Sequence, residues 1–142
     1  MPDRALDPAP EYRRAGDWLE VRCAGPANAA WMMGLFREVS ARVEREPAEA
    51  VVIDIRGITM EVLTTTDRYR VGEEAAARWF GVPVVVVASA PLVDPDKFAE
   101  MVARSRGVDG RVFTDMDEAR AWLKARLAAR AGGDTRPRDA GR

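Results

Sequence analysis

The sequence predicts a single α/β domain with a four- to five-stranded, mainly parallel sheet and four helices. Apolar and polar residues alternate over residues 18–23, which is typical of a strand with one buried face. Helical stripes then alternate with short apolar runs along the chain. Residues 82–89 are almost continuously apolar, as in a strand that is covered on both faces. Strands separated by helices join through right-handed parallel crossovers, so these strands form one sheet.

The first half of the chain begins with a predicted hairpin. Residues 11–14 and 18–23 flank a Gly-Asp pair that suits a turn, and a Gly-Pro pair ends the second strand. An amphipathic helix follows and ends before Pro47. Its apolar stripe is Met32, Leu35, Phe36, Val39 and Val43. The short apolar run over residues 50–55 predicts the next strand.

The second half alternates helix and strand in the same way. A second helix carries small residues and one tryptophan on its face: Gly72, Ala75, Ala76 and Trp79. After the strand at 82–89, an Asp-Pro pair at 94–95 predicts the start of a third helix. Residues 111–114 predict the last strand. Asp115 and Glu118 match a capping box ahead of a fourth helix.

Composition excludes several classes of function. The chain has 142 residues, 47% hydrophobic and 32% charged, as in one globular domain. Its 22 basic and 23 acidic side chains leave a net charge of -1, so no broad positive field attracts nucleic acid. With no histidine and one cysteine, Cys23, the chain lacks Cys/His zinc sites and Ser-His-Asp or Cys-His catalysis. We expect no nucleic-acid partner, no metal and no cofactor.

Both ends of the chain have the composition of solvated tails. Residues 1–10 hold three prolines, and residues 131–142 are rich in Gly, Arg and Asp. The domain is therefore predicted to span residues 11–130, between two disordered tails. The longest uncharged apolar run, residues 82–93, is shorter than the roughly 20 residues of a membrane helix. We expect a cytoplasmic protein without an integral membrane segment.

The four tryptophans divide into two pairs. Trp79 and Trp122 lie on apolar helical stripes, which predicts core positions. Trp18 and Trp31 lie outside the strongest stripes, which favours exposure at a pocket mouth or a subunit contact. Because a short hairpin edge is often covered by self-association, we expect a symmetric homodimer.

Four stretches, in this order, resemble the SpoIIAA-like (STAS-like) family: VVIDIRG, TTTDRYRVGEEAAARW, VPVVVVAS and MVARSRGVDGRVFTDMDEARAWL. The resemblance covers roughly residues 15–127. It implies a β-α superhelical fold and a regulatory or binding role without catalysis. Better-understood members carry an Asp-Ser-Ser-Gly-like motif at the second helix, where a Ser accepts a phosphoryl group from a partner kinase. This chain has Thr64-Thr65-Thr66-Asp67 there, with no Ser and no following Gly.

Candidate site residues gather where the predicted parallel strands end. The loops beyond these ends, residues 56–67, 89–94 and 114–115, form the default ligand edge of such a sheet. At the start of the second helix, either Thr66 or Asp67 caps the helix or the loop binds phosphate.

Two charged pairs near this edge have open roles. Asp54 and Arg56 lie two apart on a strand and point to one face, so they either bind a ligand or bind each other. Arg68 and Tyr69, in the first turn of the second helix, either reach a ligand or form a solvated face.

These patterns predict a non-catalytic STAS-like module that recognises a protein partner or a small ligand. Because the carboxylate of Asp67 competes with anions at the helix start, we expect an apolar or neutral ligand, with Met60 and Tyr69 in contact. The predicted binding residues are Arg56, Thr65, Thr66, Asp67, Arg68, Tyr69 and Ser89.

The alternative function is enzymatic. A small hydrolase or transferase would hold an anionic substrate through Asp54 or Asp67 together with Arg56 or Arg68. This reading requires two carboxylates to converge in one cleft.

Overall fold

The computed structural model describes residues 6–78, 81–93 and 97–133. Over these ranges the chain forms β1 (Glu11–Ala15), β2 (Trp18–Pro26), α1 (Ala29–Arg45), β3 (Ala50–Thr59), α2 (Thr65–Arg78), β4 (Val84–Val87), a short 3-10 helix (Ala90–Leu92), α3 (Phe98–Ser105), β5 (Gly110–Phe113) and α4 (Met116–Gly133). The predicted helix start at 94–95 and Trp79 lie outside the described residues.

The five strands form one sheet in chain order, β1-β2-β3-β4-β5. The β1–β2 hairpin is antiparallel, and every other pair is parallel. Successive right-handed crossovers in one direction place the connecting helices on one face of a sheet. Accordingly, α1, α2 and α3 contribute to one core, while α4 packs on the opposite face. The predicted mainly parallel α/β architecture is confirmed.

Strand β4 occupies the interior position predicted for it. Val84–Val87 pairs with β3 on one side and β5 on the other. Val84, Val85 and Val87 are buried and Val86 is half-buried. A β-branched, uncharged strand suits this position because both of its faces are removed from water.

Trp31 corrects one prediction from the sequence. Its side chain is only 5% exposed and belongs to the core beneath α1. The indole Nε1 donates a hydrogen bond to the carbonyl of Pro8 at 2.9 Å, so the polar end of the ring is satisfied without water. Trp18 is half-buried and packs on the opposite core. The expectation of a homodimer therefore loses the exposed tryptophans on which it rested.

The ends of the described chain contact the domain or extend it. Leu6 is half-buried against the core, and a Cβ added to Gly34 would lie 3.0 Å from its Cδ1. Helix α4 continues to Gly133, beyond the predicted boundary at residue 130. Residues 1–5 and 134–142, the remainder of the predicted tails, lie outside the described residues.

Strands β2 and β3 are longer than the sequence predicts. A register shift between Arg22 and Ala24 lets their pairing continue to Pro26 and Thr59. Gly57 makes this possible, since a Cβ there would lie 2.7 Å from the Cβ of Ala24. The predicted loop from residue 56 therefore begins only after Thr59, and Arg56 belongs to the strand.

Candidate functional site

A cavity of about 540 Å³ lies between α2, α3 and the face of the sheet that these helices cover. Strands β3 and β4 supply Ile55, Val84 and Val86 to its lining. The helices supply further apolar side chains: Met32, Phe36, Val71, Ala75 and Ala103. Ligand pockets in proteins have volumes of about 300 to 1,000 Å³. The cavity is therefore large enough for a small molecule, and its lining favours an apolar one.

Exposed lining residues mark the mouth of the cavity. Glu61 and Val62 come from the loop after β3, and Ala90 and Pro91 from the 3-10 helix after β4. Val62 is 78% exposed. Both segments follow the carboxyl ends of parallel strands, where ligand sites of open α/β sheets are found. The mouth thus lies at the edge at which the sequence predicts a ligand.

Charged side chains lie around this apolar interior. The lining includes the cations Arg68, Lys97, Arg104 and Arg111 and the acids Glu61 and Glu100. Glu100 has a side chain that is only 8% exposed, with Arg104 Nη1 3.6 Å from its Oε2. Its Oε1 accepts a hydrogen bond from the backbone N–H of Val112 at 3.1 Å. Glu100 therefore links α3 to the outer strand β5, and its carboxylate is already engaged.

The start of α2 is capped, as one of the two predictions holds, but by a different residue. Thr64 Oγ1 accepts from the backbone N–H of Asp67 at 3.0 Å, and Asp67 Oδ2 accepts from that of Thr64 at 3.4 Å. This reciprocal pair is a capping box. Thr66, predicted as a cap, lies with Thr65 in the exposed first turn. The cap falls on Thr64 because α2 begins at Thr65.

Asp54 and Arg56 bind each other. Arg56 Nε donates to Asp54 Oδ1 at 3.0 Å, and Arg56 Nη2 donates to Oδ2 at 2.9 Å. The backbone N–H of Arg56 adds a third bond at 3.1 Å. Burial raises the pKa of Asp54, but the hydrogen bonds from Arg56 outweigh it and bring the pKa below its ordinary value. Asp54 is therefore a buried, ionised partner for Arg56.

Tyr69 contacts the far end of α3. Arg106 Nη2 donates to the Tyr69 hydroxyl at 3.1 Å, and its guanidinium carbon lies 5.5 Å from the ring centroid. Arg106 also lies 3.4 Å from Glu73. Sequence reasoning missed this contact because it depends on how α2 crosses α3.

Among the predicted binding residues, Arg68 lines the cavity, and so does Met60. Arg56 is held by Asp54, Asp67 belongs to the cap, and Tyr69 contacts Arg106. Ser89 lies at the end of β4 between two lining residues and accepts the backbone N–H of Leu92 through its carbonyl. The structure thus brings one predicted site residue to the cavity and distributes the others around its edge.

Groups suited to catalysis are not assembled at this edge. Cys23 is 2% exposed, and burial raises its thiol pKa to about 12. Asp54 and Asp67, required by the enzymatic alternative, have separate partners. Over the described ranges, no cluster of three or more Cys, Asp or Glu side chains is placed to hold a metal ion. None of the helices in the described part of the chain combines the length and apolar character needed to cross a bilayer.

The chain shares its fold with solved structures. A variant of RsbS from Moorella thermoacetica gives a TM-score of 0.53 at 17% identity, over 84% of this chain and 97% of that chain. An anti-sigma factor antagonist from Mycobacterium paratuberculosis gives 0.49 at 13% identity, over 82% and 93%. A DUF3478 protein with a SpoIIAA-like fold from Shewanella loihica PV-4 gives 0.44 at 19%, over 81% and 92%. No family model matches the chain, and no curated protein gives a significant match.

Proposed function

Starting from a chain with the SpoIIAA-like fold, we propose that it is a non-catalytic regulatory module that binds a small, mainly apolar molecule. The observation that carries this proposal is the cavity of about 540 Å³ between α2, α3 and the sheet. Its size and lining are those of a ligand pocket. The family resemblance supports a regulatory role without catalysis.

Packing energetics support an occupant. Protein interiors are close-packed, and a cavity costs stability in proportion to its size because the atoms that line it lack contacts. An apolar molecule would regain those contacts and release water from the apolar walls formed by Ile55, Val71 and Val86. Binding would therefore stabilise the domain.

A bound molecule would also act on the surface that a protein partner can reach. Helix α2 presents Val71 and Ala75 to the cavity, while Thr65, Thr66 and Tyr69 are exposed on its first turns. We propose that occupancy fixes α2 and thereby this exposed surface. A ligand shifts a conformational equilibrium only by its difference in affinity between the two states, so occupied and empty forms should differ here.

Titration with Nile red, a neutral dye whose fluorescence reports an apolar environment, tests the proposal. We expect saturable binding by the native protein and by Ala77→Leu, which enlarges an exposed residue of α2. Ala75→Leu, which fills the cavity from the same helix, should abolish it. Equal binding by the native protein and Ala75→Leu would contradict the proposal.

A further inference from the structure

We infer that the molecule bound in this cavity is an apolar carboxylate whose charged end meets Lys97 at the mouth. The inference rests on the proposed function, since it specifies the ligand of the same cavity. It follows from the charges around the cavity, the partners that those charges already have, and the backbone conformation of Lys97.

Three of the four cations at the cavity have other contacts. Arg111 has its guanidinium carbon 5.2 Å from the ring centroid of Trp122 and donates through Nη1 to the carbonyl of Gly110. Arg104 is paired with Glu100. Arg68 has interactions of its own. Among the described residues, no carboxylate lies within ion-pair distance of Lys97, so its ammonium is the cation that a ligand can engage.

The backbone of Lys97 is held in an unusual conformation. It has φ 52° and ψ 42°, and it is the one non-glycine residue with positive φ in the described chain. Left-handed backbone is unfavourable for a long side chain and persists where the surrounding structure enforces it, often at ligand clamps. Here it places an exposed lysine in the lining of an apolar cavity.

Lys97 also occupies the N-cap of α3. A lysine side chain has donors and no acceptor, so it cannot satisfy the first N–H groups of the helix as Ser, Thr, Asp or Asn would. A carboxylate at this position would accept from the ammonium and add negative charge beside the positive end of α3. A single compact ammonium suits a monocarboxylate, whereas phosphate sites typically use several arginines or a phosphate loop.

Three ten-carbon probes of different charge test the inference by calorimetric titration below their micellar concentrations. Decanoate, 1-decanol and decyltrimethylammonium share a tail and differ in the head group. We expect decanoate to bind about tenfold more tightly than decanol, about 1.4 kcal/mol for one charge-assisted contact, and the cationic probe to bind most weakly. Raising the salt concentration should reduce the advantage of decanoate over decanol, because the head group lies at an exposed mouth.

Lys97→Met keeps the length of the side chain and removes its charge. It should weaken decanoate about tenfold and leave decanol unchanged, while Lys97→Arg should retain most of the affinity for decanoate. Lys124→Met is the matched control, since Lys124 is the other lysine and is exposed on α4. If Lys97→Met does not fold, the salt dependence of the native protein carries the test.

The outcomes separate the inference from the proposed function. If decanol and Nile red bind but decanoate binds no better than decanol, the charged contact is wrong and the apolar binding stands. The same conclusion follows if Lys97→Met and Lys124→Met bind decanoate equally. If neither Nile red nor any of the three probes binds, the proposed function is overturned and this inference falls with it.

Discussion

The two faces of the sheet have apolar cores that are filled differently. On the α4 face, Val52, Val85 and Val87 pack against Ala119 and Leu123, and all five are at most 1% exposed. On the opposite face, three helices leave the cavity of about 540 Å³. The strands supply valine and isoleucine to both faces, so the difference arises from the helices that cover them.

The packing of α2 against α3 explains the space on the cavity face. Gly72 lies at their crossing, where an added Cβ would lie 2.7 Å from the carbonyl oxygen of Ala99 and 2.8 Å from Cβ of Val102. The two helices therefore approach each other closely, while the cavity separates them from Val84 and Val86. A single helix such as α4 has no such neighbour and packs directly on the strands.

Leu123→Ala should have the largest effect on stability. Leu123 is 0% exposed in the tightly packed core. Its truncation should lower the free energy of unfolding by about 3 to 4 kcal/mol, because a cavity forms where the neighbouring side chains have little room to move. Chemical denaturation measures the change. Leu127→Ala, at a half-buried position on the same helix, is the control and should cost less; equal losses would contradict the tight packing.

Enlarging one alanine on each face tests the contrast directly. Ala119 is 0% exposed beneath α4, so Ala119→Leu should lower the free energy of unfolding by about 1 to 3 kcal/mol through overpacking. Ala75 borders the cavity, so Ala75→Leu should change stability by less than about 1 kcal/mol. Thermal and urea unfolding measure both. Similar destabilisation by the two variants would show that the cavity face has no spare room.

Asp54→Asn tests the buried charge pair. Since Arg56 is about half exposed, we expect a loss of about 1 kcal/mol near neutral pH. Asp54 has a lowered pKa in the folded protein, so its contribution is present above the unfolded pKa of about 3.9 and is lost as pH falls through the folded value. The difference in urea stability between native protein and variant should therefore shrink below about pH 4. Glu44→Gln, at an exposed site on α1, should show no such convergence.

Thr64→Ala should have the smallest effect. It removes one acceptor of the capping box at the start of α2 and should lower the free energy of unfolding by about 0.5 to 1 kcal/mol. Amide exchange should quicken in the first turn of α2, next to the mouth of the cavity. Thr65→Ala leaves the cap intact and should leave exchange unchanged; a matching increase would assign the effect to helix propensity.

Local patterns predicted much of the fold. The alternation over residues 18–23, the apolar run at β4 and the capping box of Asp115 each report on immediate surroundings, and Glu118 N–H does donate to Asp115 Oδ2 at 2.9 Å. The true extent of β2 and β3 was missed because it depends on the close approach of Gly57 to Ala24.

The candidate site was harder to predict from the chain. The edge was identified correctly because strand polarity determines it, but the cavity is a space between elements that no periodicity encodes. Trp31 was misplaced since its hydrogen-bond acceptor, the Pro8 carbonyl, lies in a segment with the composition of a tail. Lys97 carries no sequence signal, because its left-handed backbone depends on tertiary context.

The strand order has a consequence for biosynthesis. Because each new strand pairs with the one made just before it, the sheet can grow by addition at one edge as the chain leaves the ribosome. The last element, α4, alone supplies Ala119 and Leu123 to the second core. Until it is released, Val52, Val85 and Val87 have no helical cover, so a nascent chain halted before residue 116 exposes an adhesive valine surface. The final helix therefore marks the step at which the newly made domain ceases to be prone to aggregation.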